Sequence, residues 1–489
     1  MPFNLTVVGL GNMGTSVMVA ALKAGFRVRG VDKDPLKTAQ LERGETLTHE
    51  AGTSDVILNS LKSGRLTIEQ DLTALETDLI FIAVETPAQG NGCDYRILLS
   101  SLSEIEGIWW PGTPVVIGST VFPGGFKNEI LPRFASSEFS GALAYMPVFL
   151  RAGAGTHDFR NPGKVVCGLK SVSTRNTIAK MYAGLFQDPI EPKFVSFEEA
   201  EYVKLIHNSF MCLKINFANE MAPFCAPGEF TRIFSEDPSI WTDSWLARGS
   251  TEANPDLEAL ASQLAIGSQT RTAIEERAWS RPHPSFQDGA ARTVTAAWAA
   301  TLSGFFDEFA ILIEDVPHDE IMKLSLEENQ NGRLRTLSHM KPGAPYSGPC
   351  LPKDSEILSG LISRARRKGA LKGGVLETIS RANERLIDEL YQRWSSGQGP
   401  LGIVGLSFRP DCPEYRDSLA LKVLQRFWRD NPEREIMLFD THLTGKSAAE
   451  LKVLARGDQD VLRMFNYLAP SEESVREYAD SLILNGRVT

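Results

Sequence analysis

Residues equipped for chemistry stand at separated places along the 489-residue chain. The first is Gly9-x-Gly11-x-x-Gly14, with Asn12 and Met13 between its last two glycines. It follows the apolar run LTVV and leads into a helical pattern. The glycines then allow a tight turn and a close backbone approach to a pyrophosphate at a helix N-terminus. Asp32 ends the next apolar run, 18 residues after Gly14. Its carboxylate would accept hydrogen bonds from a ribose hydroxyl and repel a 2′-phosphate, which selects NAD over NADP. The plainer alternative is a glycine turn that only packs helix on sheet.

Lys204 and Asn208 lie four apart in SFEEAEYVKLIHNSFMCLKINFANEMA and share one helical face. Asparagine is uncomfortable in mid-helix, whereas a helical lysine is ordinarily just solvated. SGPCLPKD gathers Cys350, Lys353 and Asp354, and its Pro352 suits the first turn of a helix. A thiol at a helix N-terminus beside a lysine is favoured as thiolate, the nucleophilic form, although a single cysteine is more often buried and inert. GLSFRPDCPEYRDS puts Arg409 and Arg416 in a loop after a strand. There each could hold a phosphate, or pair with Asp411, Glu414 or Asp417.

These groups must be positioned by an α/β fold. Residues 4–8, 26–31, 79–84 and 114–118 read as short buried strands separated by helical patterns, the alternation of a doubly wound sheet. The expected layout is an N-terminal Rossmann NAD domain over 1–195 and a central helical domain over 196–395 that opens on one long helix. A smaller Rossmann-like α/β domain over 396–489 has strands at 401–408, 435–440 and 479–486. SSGQGP (395–400) is the linker before it. Residues 223–303 form a separate block holding Trp241, Trp245, Trp279 and Trp298.

Composition closes off other classes. A hydrophobic share of 42% with 23% charged residues is that of an ordinary globular protein, not a disordered one. The net charge of −10 argues against nucleic acid or an anionic membrane as partner. Six scattered cysteines form no CxxC pair, so neither a zinc site nor a redox dithiol is expected. The start MPFNLTVVGLGNMG lacks the features of a signal peptide, and no apolar run approaches the ~20 residues of a membrane span. The expectation is a cytoplasmic protein with free thiols and no metal.

Taken in order, these segments resemble the nucleotide-sugar 6-dehydrogenases, the UDP-glucose and GDP-mannose dehydrogenase family. VETPAQGNGCD (84–94) resembles a V-x-T-P loop, which implies Thr86 near NAD. STVFPGG (119–125) resembles an S-T-V-x-P-G loop, which implies Thr120 at both cofactor and reacting centre. The stretch from Phe149, Leu150 and Arg151 to Gly168 is similar to the end of the NAD domain, and implies substrate contacts for those three. KLIHNSF resembles the helix of a catalytic Lys and Asn, here Lys204 and Asn208, which also touch substrate. SGPCLPKD resembles the nucleophile segment, with Cys350 and Asp354 catalytic, Tyr346 and Gly348 on substrate, and Lys353 on the cofactor. GLSFRPDCPEYRDS implies Phe408 and Arg409 on the nucleotide sugar and Arg416 on NAD. The long helix suggests a homodimer.

The resemblance implies four-electron oxidation at C6 through a cysteine thiohemiacetal and thioester. Two positions depart from it. The family's N-P-E-F-L is Met146-Pro147-Val148-Phe149-Leu150, so a glutamate implicated as base is Val148. A second glutamate is Ala152. The 6-carboxylate is then one product and an earlier stop another. The Lys204–Cys350 interval is also long, and an arginine expected before the nucleophile segment is Arg333 or Arg335. A two-electron β-hydroxyacid-type dehydrogenase and a catalytically degenerate NAD- or nucleotide-sugar-binding protein remain as alternatives.

Overall fold

A computed structural model describes residues 2–46, 50–73, 76–89, 92–151, 153–185, 190–221, 345–348, 350–368, 374–395, 399–408, 413–479 and 481–484, with isolated positions between 298 and 325. The block expected at 223–303, apart from Trp298 and Thr301, lies outside the described residues, as do Ala152, Arg333, Arg335 and Arg409.

The chain divides into two compact units. One comprises Met1–Lys204, Ser347–Pro349 and Leu390–Thr489; the other comprises Leu205–Tyr346 and Cys350–Glu389.

The first unit opens with β1 (Asn4–Val8), α1 (Asn12–Lys23), β2 (Arg27–Val31), α2 (Pro35–Glu42), α3 (Thr53–Lys62), β3 (Leu66–Glu69) and β4 (Leu79–Ile82). A two-strand ribbon of β5 (Ala88–Gln89) and β6 (Gly92–Cys93) follows, then α4 (Arg96–Ile108) and β7 (Val115–Ile117). Next come α5 (Phe139–Ala142), β8 (Leu143–Tyr145), α6 (Gly155–Arg160), β9 (Val166–Leu169), α7 (Val172–Leu185) and β10 (Lys193–Val195). The eight-stranded sheet has the order β10-β9-β8-β7-β4-β1-β2-β3. Every neighbouring pair is parallel except β8 with β9. Order reverses on either side of β1, so the sheet is doubly wound as expected, and its C-terminal edge forms the crevice that takes ligands in such folds.

The central strands are apolar throughout because they are buried on both faces. Leu79, Ile80, Phe81 and Ile82 are fully buried, and Val7, Val116 and Ala144 join the same core. Helix α1 covers one face with Val17, Met18, Val19, Ala20 and Ala21, all buried.

The long helix expected after residue 196 is α8 (Phe197–Met221). The later part of the central helical region expected over 196–395 contains α9 (Leu351–Arg367) and α10 (Val375–Ser395). Gly374, at φ 159°, immediately precedes α10 and is outside helical geometry. Within the first unit a second parallel sheet has the order β12-β11-β13, built from β11 (Leu401–Val404), β12 (Ile436–Phe439) and β13 (Ser481–Leu484). Its helices are α11 (Leu419–Asp430), α12 (Ala448–Ala455), α13 (Gln459–Phe465) and α14 (Glu472–Tyr478). Among the described residues no helix is long and apolar enough to cross a membrane.

The glycine turn is the tightest point. Gly9 holds φ 89°, and a Cβ there would lie 2.8 Å from the Ala83 carbonyl. A Cβ at Gly14 would collide with the Gly9 carbonyl oxygen. Gly14→Val is therefore expected to lower the melting temperature, since overpacking of this kind costs about 1–3 kcal/mol, and to abolish NAD binding. Differential scanning fluorimetry with and without NAD checks both; an unchanged melting curve would show that the turn relaxes freely.

Candidate active site

At the C-terminal edge of the large sheet, β1 passes through Gly9 into α1. Gly11 is the N-cap of α1 and supplies no side-chain cap, and the first turn carries no acid. The free N–H groups and the helix dipole there suit a phosphate. Asp32 leaves β2 and faces the same turn. Its Oδ2 accepts from the Leu10 N–H at 2.7 Å, and its Oδ1 accepts from the Asp34 N–H at 3.0 Å. Lys37 Nζ lies 3.6 Å from Oδ2. Asp32 thus braces the glycine turn as well as presenting a carboxylate. A cradle that a Cβ would fill, an uncapped helix start and a carboxylate at the end of β2 together fit a dinucleotide.

The two loops next along this edge are fastened to one another. Thr86 Oγ1 donates to the Thr120 carbonyl at 2.8 Å, and Ser119 Oγ donates to the Val84 carbonyl at 2.6 Å. The Phe122 N–H donates to Tyr95 Oη at 2.8 Å, and Glu201 accepts from the N–H groups of Gly124 at 2.7 Å and Phe126 at 2.9 Å. Glu201 is 1% exposed. Burial pushes its carboxyl up to about 8, opposed by those two backbone donors. It sits three residues before Lys204 on α8, so the Thr120 loop and the lysine share one support. Sequence reasoning passed over it; the signal was an acid inside an otherwise apolar helix face.

Lys204 is buried. Its Nζ donates to the Val148 carbonyl at 2.7 Å and stands 5.0 Å from the centre of the Phe149 ring. Lys164 Nζ stands 5.1 Å from the same ring. The Val148 and Leu150 side chains pack against the apolar core of the sheet. The Val148–Phe149 loop therefore meets the lysine through backbone and ring. Arg151 is committed elsewhere: its Nε and Nη2 donate to Asp158 at 3.0 and 2.6 Å. That contact raises the Arg151 pKa.

In the second unit, Asn208 Nδ2 donates to Asp354 Oδ2. Asp354 is 2% exposed, and its Oδ1 is buried without a partner among the described residues. Cys350 is the N-cap residue of α9 and is exposed; its carbonyl accepts from the Asp354 N–H at 3.0 Å. Lys353 stands half-buried in the same first turn. Cys212, one turn beyond Asn208, is fully buried, and burial pushes its thiol well up. Of these two thiols the exposed one is the candidate nucleophile. Tyr346 is buried and bonded, its hydroxyl 2.7 Å from Ser355 Oγ and its N–H donating to Asn383 at 2.8 Å. It braces α9 against α10.

Back in the first unit, Gly348 donates its N–H to the Asp417 carbonyl at 2.9 Å and packs over the Phe408 ring, which a Cβ would meet at 2.9 Å. Two residues expected on substrate are thus adjacent. Arg416 grips Glu414 with Nε and Nη2, both at 3.0 Å, and Glu85 with Nη1 at 3.1 Å. Burial works to raise the Glu414 carboxyl pKa, and the guanidiniums of Arg456 and Arg416 overcome it to leave a net lowering. Glu85 belongs to the V-E-T-P loop, so this ion pair joins the second sheet's loop to the first sheet's edge.

Known proteins agree with this geometry. Residues 3–186 match the model of the UDP-glucose/GDP-mannose dehydrogenase family, NAD binding domain. The UDP-glucose 6-dehydrogenase of Pseudomonas aeruginosa is 29% identical over 231 residues, covering 45% of this chain and 51% of the relative. The chain thus spans about half the length of the first curated relatives it matches. The UDP-glucose 6-dehydrogenase of Haloferax volcanii aligns more extensively, 24% identical over 86% of this chain and 80% of its own length. A UDP-glucose dehydrogenase structure from Pyrobaculum islandicum shares the fold, with TM-score 0.60, 21% identity, and coverage of 99% of this chain and 90% of that one. With its glycine turn and its carboxylate at the end of β2, the N-terminal region of this chain, residues 3–186, is similar to the NAD binding domain of the UDP-glucose/GDP-mannose dehydrogenase family.

Proposed function

We propose that the chain is an NAD-dependent dehydrogenase oxidising the C6 hydroxymethyl group of a nucleotide-activated sugar through a thioester on Cys350. The observation that carries this reading is the Asn208–Asp354 hydrogen bond, which spans 146 residues of sequence. It ties the helix of Lys204 and Asn208 to the helix turn that begins at Cys350. A one-step oxidation of a β-hydroxyacid needs no thiol there. In this reading the enzyme is a cytoplasmic homodimer paired through its central helix.

NAD, when bound, supplies the hydride acceptor. Lys204 and Asn208 donate hydrogen bonds to the sugar's C6 oxygen as it gains negative charge, and Thr120 orients the lysine. The C6 carbon gives up a hydride and the C6 hydroxyl gives up its proton to water, which leaves an aldehyde. The Cys350 thiolate adds to the aldehyde carbon, forming a C–S bond, and the resulting oxyanion takes up a proton. The thiohemiacetal carbon then gives up a second hydride and its hydroxyl gives up a proton to water, which leaves a thioester. Water attacks the acyl carbon, the C–S bond breaks, the thiolate returns, and a carboxylate leaves. Asp354 serves this last step: Oδ2 is held by Asn208, and buried Oδ1 accepts a proton from the attacking water. Two hydrides leave each sugar.

Val148 favours a second reading. A general base is commonly worth about 10²–10⁴-fold, and valine cannot take a proton, so release at the aldehyde is the alternative end point. A panel of UDP- and GDP-sugars with saturating NAD separates the two by NADH absorbance and product mass. Two NADH with a carboxylate are expected; one NADH with an aldehyde selects the second reading. Tight NAD binding with no turnover on any sugar would leave only a binding role.

Cys350→Ala is expected to abolish the second oxidation while NAD affinity, measured by calorimetry, stays within twofold of wild type. Retained two-NADH turnover would remove Cys350 from the chemistry. Asp354→Asn is expected to slow turnover by about 10²–10⁴-fold and to accumulate a sugar adduct on Cys350, visible by intact-mass spectrometry. Normal turnover in that variant would assign water activation elsewhere.

A further inference from the structure

Arg456 is one of two non-glycine residues with positive φ among the described residues, at 51°. It is the C-cap of α12, and Gly457 beyond it holds φ 81°. The left-handed backbone, uncommon for such a residue, ends the helix and turns the side chain back. That side chain is 10% exposed. It reaches the other end of the sequence, where Nη2 donates to Asn12 Oδ1 at 2.7 Å. Asn12 is the first residue of α1, inside the glycine turn.

The guanidinium has five N–H donors. Among the described residues it makes the one hydrogen bond to Asn12. Its Nη1 lies 3.6 Å from Glu414 Oε2 and 3.8 Å from Glu85 Oε1, beyond hydrogen-bond length. Arg416 differs: its donors are spent on the carboxylates of Glu414 and Glu85. Of the two arginines, Arg456 is the cation with donors to spare, and it stands against the turn where a pyrophosphate would lie. The α1 N-terminus alone presents only a partial positive charge. A pyrophosphate carries two negative charges, and a planar fork of N–H donors matches its oxygens.

We propose that Arg456 is a cofactor-binding residue whose guanidinium, seated against Asn12, hydrogen-bonds the pyrophosphate of NAD. Arg416 then acts through others: it holds Glu414 and Glu85 so that neither carboxylate captures Arg456. The proposal rests on the NAD-binding reading of residues 3–186. It assigns part of the cofactor site to the C-terminal sheet, from a residue that belongs to none of the motif segments.

Calorimetry on the full chain, with NAD, ADP-ribose and adenosine as probes, tests it. Wild-type binding of NAD checks the underlying reading by itself. In Arg456→Gln, NAD and ADP-ribose are expected to bind roughly 10- to 100-fold more weakly, the range for losing charge-assisted hydrogen bonds. Adenosine, which lacks the pyrophosphate, is expected to bind within twofold of wild type. The salt dependence of NAD affinity is expected to flatten in the variant. NAD affinity within twofold of wild type would overturn the proposal. So would an equal loss for adenosine, which marks a purely structural role. If Arg456→Gln does not fold, Arg456→Lys keeps the charge but loses the fork; it is expected to weaken NAD several-fold and spare adenosine, and equal effects on both overturn the proposal.

Discussion

A backbone carbonyl stands where Gly14 would carry a side chain. That contact between Gly9 and Gly14 lets α1 start directly over the end of β1, and the arrangement of the crevice follows from it. Gly9 in turn lies against Ala83 and Val84, so the end of β4 is brought close to the turn. Val84 then accepts from Ser119, and Thr86 donates to Thr120. One steric requirement at three backbone positions thus sets the places of the loops that would surround a nicotinamide ring.

Charge is distributed by the same economy. The chain is acidic overall, with a net charge of −10, yet the crevice gathers Lys204, Arg416 and Arg456. Each is held by neutral or acidic protein groups: Lys204 by a carbonyl and a ring, Arg416 by two carboxylates, Arg456 by an amide oxygen. Burying a cation without a partner is costly, and these contacts hold the positive groups in place. Glu201 is the converse case. A buried acid is satisfied by two backbone N–H groups of the Thr120 loop, and α8 thereby carries both the support of that loop and the lysine.

Val148 is bound into the scaffold by both its side chain and its backbone. Its side chain packs on the apolar core, and its carbonyl takes the lysine's proton donor. A carboxylate there would face the same packing at a desolvation cost. Valine offers apolar contact and no proton acceptor, whereas Asp354 keeps a carboxylate oxygen, Oδ1, that is buried and without a hydrogen-bond partner among the described residues.

Sequence alone was enough for the doubly wound sheet, the glycine turn, the acid after β2 and the long helix, because each rests on short-range steric rules and on hydrophobic period. The division between α9 and α10 escaped periodicity, since both helices carry apolar residues at helical spacing. Glu85 and Arg456 carried no local signal: a charged residue at either position reads as solvated surface. Their roles exist only once the chain is folded. Arg456 meets Asn12 from 444 residues away, and Asn208 meets Asp354 from 146. Spacing along the chain encodes which backbone shapes are allowed, whereas which charges are desolvated together depends on the packing of elements distant in sequence, and tertiary structure decided that.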